Sequence, residues 1–230
     1  MFFMDYWYIV LVLPAVLLTL VAQMMVKSTF NKYSKIGTRS GMTGLDACVM
    51  IQRQNGLNLP INMIQGSMTD NFDPRSNTIN LSATVGPVPS IAAIGVAAHE
   101  TGHAMQHAGG YLPIKIRSGI VPVTRVASAA APWLVMAGLV FSSLLPLAYV
   151  GVAFFGMAVL FQLVTLPVEF DASRRAIKSL ESQQILTAEE LAGARKVLTA
   201  AAMTYVAALF LSMMSMIRLL LIVSGRGRRR

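Results

Sequence analysis

The chain has 230 residues, 55% of them hydrophobic and 13% charged, with 19 Lys and Arg against 10 Asp and Glu for a net charge of +9. So apolar a composition excludes an ordinary soluble globular protein and reads as a membrane protein. The basic excess is what topology and anionic lipid require beside membrane spans, and with no nucleic-acid motif accompanying it, nucleic acid is not expected as a partner.

The first apolar run, Tyr6 to Val26, is long enough to cross a bilayer and lacks both a basic leading region and a small-residue cleavage site. It reads as a retained N-terminal anchor, residues 1–26. Residues 27–125 form the only long polar stretch and must hold the extramembrane domain. Within it, "TGLDACVMIQRQNG" has helical periodicity through Leu45, Cys48, Val49 and Ile51 and stops at Asn55 and Gly56. Cys48 is the single cysteine, so no disulfide framework exists, and it reads as a buried small hydrophobe. Two extended candidates follow, "LPINMIQ" and "NTINLSATV", separated by "TDNFDPRS", whose Asp-Pro and Asn/Ser content is turn chemistry. Pro89 and Ser90 then open a helix that runs to Gly109 and Gly110.

Two further apolar runs, Val126 to Leu145 and Leu147 to Val168, are separated by Pro146 and predict a transmembrane hairpin over 126–168. Residues 169–199 are polar again, and Thr187 with Glu190 predicts a capping box for a helix. The last run, Ala200 to Val223, carries Arg218, whose stem can take its charge to an interface or a polar bundle interior. With the tail "GRGRRR" it makes the final segment, 200–230.

All three histidines, His99, His103 and His107, lie in "GVAAHETGHAMQHAGGY". "HETGH" is an HExxH pattern: residues i and i+4 share a helix face, so His99 and His103 can offer two imidazole nitrogens to one zinc ion, with Glu100 beside them as general base. The small apolar flanks suit a site that excludes water. An unpaired His-Glu-His cluster in so apolar a helix would also carry a desolvation cost that a metal removes. A catalytic zinc wants three protein ligands and an open position. His107 lies about 12 Å along a straight helix from His99, its face turned by about 80°, so it reads as an outer or substrate-side group. Glu169 is the better third ligand, because the hairpin returns the chain at "LPVEF" to the face it left.

Taken in order, "FDPRSNTINLS", "AAHETGHAMQHAGGY", "LPIKIRS" and "LPVEFDASRRA" resemble the YugP-like membrane zinc metallopeptidases over about residues 27–199. The resemblance implies a multi-pass α-helical membrane protein of about four spans, with a small α+β zincin-like catalytic domain at the membrane surface. His99 and His103 would be its ligands and Glu100 its base. A wider kinship with HtpX-type and CAAX-processing peptidases implies Glu169 as third ligand, opening a Glu-x-x-x-Asp motif. Ser173 stands where that motif has aspartate, and a hydroxyl orients an imidazole less than a carboxylate does. Asp171 is expected to pair with Arg174 or Arg175. By the same resemblance Asn77, Thr78, Ile79, Asn80 and Leu81 would form an edge strand that adds the substrate as a further strand, a plain internal strand being the alternative.

The expectation is a membrane zinc endopeptidase, gluzincin-like, with one Zn2+ and a peptide or protein substrate. A non-catalytic zinc-binding scaffold or regulator is the rival, although structural zinc sites are usually closed by four ligands rich in cysteine. Fourteen Lys and Arg lie in 27–125 and 169–199 against four in the tail (Arg226, Arg228, Arg229, Arg230), which predicts a catalytic domain facing the cytoplasm.

Overall fold

The computed structural model describes residues 5–227. Residues 1–4 of the expected anchor and Arg228, Arg229 and Arg230 of the basic tail lie outside the described residues. A π-helical turn, Tyr8–Val12, leads into α1 (Leu13–Tyr33); α2 (Gly44–Gln54), β1 (Ile61–Ile64), β2 (Asn71–Asp73) and β3 (Thr78–Ser82) follow, then α3 (Ile91–Ala108), α4 (Leu112–Val140), α5 (Leu145–Ser182) and α6 (Ala188–Gly227). Among the described residues four helices are long and apolar enough to cross a membrane: Tyr8–Tyr33, Leu112–Val140, Leu145–Ser182 and Ala188–Arg226. The chain divides into two compact units.

One unit comprises Gln23–Ile114 and Pro167–Met203. Its core gathers fully buried Ile51 from α2, Ile79 and Leu81 from β3, Ile94 from α3 and Leu180 from α5. Local chemistry sets where the helices start and stop. Thr43 and Asp46 close a capping box at the head of α2, and Gly56, at φ +66°, follows its end. Ser90 caps α3 by accepting from the Ala93 N–H at 3.2 Å. Thr187 and Glu190 make the box expected before α6, and the second Glu190 oxygen accepts the Arg39 N–H at 2.6 Å.

The sheet corrects two expectations. Its order is β1-β3-β2, with β3 parallel to β1 and antiparallel to β2. Residues Thr78, Ile79, Asn80 and Leu81 therefore sit in the middle strand, and Asn77, at φ +54°, is the last residue of the turn rather than part of the strand. Of the two alternatives the sheet has the internal strand, since β3 pairs with β1 on one side and with β2 on the other. The segment "TDNFDPRS", read as a turn, contains β2 itself. Only Pro74 to Asn77 turns, where Asp73 accepts from the Arg75 N–H and the Ser76 hydroxyl at 2.9 and 2.8 Å.

The other unit comprises Met1–Ala22, Lys115–Leu166 and Thr204–Arg230. Here α4 and α5 make a close hairpin: a Cβ on Gly138 would lie 2.5 Å from the Ala148 nitrogen, and one on Gly151 2.7 Å from Val135. The turn falls at Phe141 to Leu144, and Pro146 lies in the first turn of α5, where a missing N–H costs nothing. Helix α4 starts at Leu112, well before the expected Val126, and continues past Pro122 and Pro132. Arg218 does not stand alone in its helix. Its Nη2 and Nε donate to Asp5 Oδ2 at 2.6 and 3.0 Å, and its guanidinium lies 5.2 Å from the Tyr8 ring centre.

Candidate metal centre

Helix α3 places His99 and His103 on one face, their rings 4.7 Å apart and edge to face. Helix α5 runs alongside and presents Glu169, Ala172 and Ser173 at i, i+3 and i+4, one stripe of its surface. The two backbones meet at Gly102, where a Cβ would lie 2.5 Å from the Ala172 carbonyl oxygen. Only glycine fits there, and that contact lets a side chain as short as Glu169 reach both histidines.

Glu169 is 3% exposed, its Oε2 3.3 Å from His99 Nε2 and 3.6 Å from His103 Nε2. Ligand atoms of the three residues lie within 4.8 Å of one another. Their outer faces are held by neighbours. Ser173 Oγ stands 3.1 Å from His99 Nδ1, and Gln106 Oε1 3.1 Å from His103 Nδ1. The Gln106 amide can point only one way, because its nitrogen faces two acceptors, the Val168 carbonyl at 2.8 Å and Asp171 Oδ2 at 3.0 Å. Gln106 Oε1 is then the acceptor and His103 Nδ1 carries the hydrogen. His103 Nε2 is left with a lone pair aimed at Glu169.

That arrangement tests whether these residues suit a metal. A neutral imidazole lone pair and a carboxylate converge in a buried space with a second imidazole, and such a set is satisfied only by a cation. Two imidazoles and one carboxylate are zinc-type ligands. Without a metal the site draws a proton instead: burial pulls the His103 pKa down, yet the bond to Glu169 and the charges of Glu100 and Glu169 outweigh it and hold it above the usual imidazole value.

Glu100 is buried on α3 beside His99. His107 stays apart from the cluster, half-buried, with its ring 5.5 Å from Phe72 of β2. Asp171 pairs with Arg175, whose Nε donates to Oδ2 at 2.6 Å. It also receives the Gln106 amide, a link that reading the histidine spacing alone overlooks. Gln106 stands three residues after His103, and that i+3 relation was the available signal. Cys48 is fully buried and accepts from the Thr101 hydroxyl at 3.2 Å, and burial pushes its thiol pKa up.

Comparison with known proteins places the chain in a family. The model of a family described as "Putative neutral zinc metallopeptidase" matches residues 8–224. A Bacillus subtilis (strain 168) protein named "Putative membrane protease YugP" is 42% identical over 221 residues, which is 95% of this chain and 98% of that protein. No solved structure matches.

Proposed function

The chain belongs to the family described as "Putative neutral zinc metallopeptidase", and from that membership we propose a membrane-embedded zinc endopeptidase whose centre is His99, His103 and Glu169 with Glu100 as the proton-transfer group. The observation that carries this reading is the convergence of two imidazoles and Glu169 in a buried space that calls for a cation. His99, His103 and Glu169 would hold one zinc ion and leave a position open for water, as a gluzincin-like site does. Bound there, zinc would bring the pKa of a water towards about 7 and polarise the scissile carbonyl.

The protein's own groups do the rest. Glu100 takes the proton of the attacking water and delivers it to the leaving amide nitrogen. Ser173 and Gln106 hold the two imidazoles so that Nε2 faces inward. With β3 occupied on both sides, β2 is the edge strand next to α3, and a substrate main chain would add there by backbone hydrogen bonds with little side-chain selectivity. The excess of Lys and Arg on the catalytic segments supports a cytoplasmic face.

The test is Glu100→Gln in detergent-purified protein. The amide is nearly isosteric, so zinc content should equal wild type while cleavage of an unfolded casein-type substrate falls by 10²-fold or more. Equal cleavage by the two proteins would remove the enzymatic reading and leave a zinc-binding scaffold.

A further inference from the structure

We infer that Gln106 is the positioning residue of His103, and that Asp171, held by Arg175, acts on His103 through it. This inference rests on the reading of His99, His103 and Glu169 as a metal site. A metal-binding histidine is normally oriented by a carboxylate or carbonyl on its far nitrogen, which fixes the tautomer and raises basicity. Neither histidine has a carboxylate there: Ser173 meets His99 and the Gln106 amide meets His103. The carboxylate stands one side chain further out, since Asp171 Oδ2 accepts from Gln106 Nε2 at 3.0 Å and from Arg175 Nε at 2.6 Å.

Three features give this chain its force. Gln106 has no solvent exposure, and its oxygen and nitrogen are both engaged, so it has no alternative partner to turn to. Its bond to the Val168 carbonyl ties α3 to α5 one residue from Glu169, so the same amide fixes the orientation of one imidazole and the backbone that delivers the carboxylate. Asp171 polarises the amide it receives, which strengthens the bond from His103 Nδ1–H to Gln106 Oε1. The site thus has the orienting charge that Ser173 cannot supply, placed on the other histidine and relayed through a neutral group.

The experiment measures zinc affinity of the full chain in detergent by chelator competition, and the absorption spectrum of the cobalt-substituted protein at saturation. Gln106→Leu should weaken zinc binding 10–100-fold and alter the cobalt bands, and Asp171→Asn should weaken it severalfold. The double variant should match Gln106→Leu alone within about twofold if the effect of Asp171 passes through Gln106. Should Gln106→Leu fail to fold, Asp171→Asn alone keeps the test open, because it leaves Gln106 its bonds to His103 and Val168 while removing the charge behind the amide: zinc binding should still weaken severalfold and the cobalt bands shift. Wild-type affinity and cobalt bands in Gln106→Leu would overturn the inference, as would losses that add in the double variant or wild-type affinity and bands in Asp171→Asn. If wild type itself binds no zinc, the metal-site reading fails and this one with it.

Discussion

Replacing Gly102 with alanine isolates the contact on which the candidate centre depends. An added Cβ would sit 2.5 Å from the Ala172 carbonyl oxygen, 3.2 Å from its carbonyl carbon and 3.3 Å from its Cα. All three are backbone atoms inside a helix, so no side chain can swing away. Restoring an ordinary carbon–oxygen contact requires α3 and α5 to part by about 0.7 Å or more, since heavy atoms settle no closer than roughly 3.2–3.5 Å. Overpacking of this kind costs about 1–3 kcal/mol, while alanine gains about 1 kcal/mol of helix propensity over glycine. The net loss of stability is therefore modest, about 0–2 kcal/mol. The effect on the site should be larger, because metal–ligand distances tolerate only about 0.2 Å. Glu169 and Ser173 flank Ala172 and move with it. We expect zinc affinity to fall at least tenfold and peptide cleavage on the order of 10²-fold, a loss typical of a displacement near 1 Å. Gly95→Ala is the matched control on the same helix, since its Cβ would meet the Ala194 Cβ, Cα and carbonyl oxygen at 3.4, 3.6 and 3.9 Å, all ordinary contacts. Thermal melting, chelator competition and cleavage rate, measured on both variants, complete the assay. Full zinc affinity and full activity in Gly102→Ala would refute the reasoning.

Glu169→Ala should lower zinc content and cleavage together, whereas His107→Ala, whose ring packs on Phe72 away from the cluster, should keep its zinc and change only rate or substrate binding; elemental analysis after gel filtration that shows the reverse pattern would reassign the third ligand. For orientation, Ser67→Cys should resist impermeant thiol reagents applied to intact cells. Cys48 will not interfere, because it is fully buried; labelling of Ser67→Cys from outside would reverse the proposed topology.

The helices were legible from the sequence because their signals are local. Ser90, Thr187 with Glu190, and the Gly109-Gly110 pair act within a few residues of the ends they mark. The hairpin was legible as two apolar runs, but its turn falls two to five residues before Pro146, because proline in the first turn of a helix starts one as readily as it ends another. The strands were less legible. β2 has three residues, the last of them the Asp of Asp-Pro, too few to show alternation, and nothing in "NTINLSATV" states whether the strand is central or at an edge. Sheet order is a property of the whole unit. The approach of Glu169 to His99 and His103 was inferred from the path of the chain, while its close fit depends on Gly102 lying against Ala172, two residues 70 positions apart that carry no joint pattern. Gln106 was hidden for the same reason, since two of its three partners, Val168 and Asp171, lie on another helix.

The pairing of Asp5 with Arg218 gives the order of synthesis a physical consequence. The two residues are 213 positions apart, so at about 5–20 residues per second the ribosome delivers Arg218 roughly 10–40 s after Asp5. During that interval Asp5 has no guanidinium to neutralise it, and an unpaired ionisable group at the edge of an apolar helix resists settling into hydrocarbon. The pair is complete only once the last helix has been made. A chain that stops short of Arg218 leaves Asp5 without this partner.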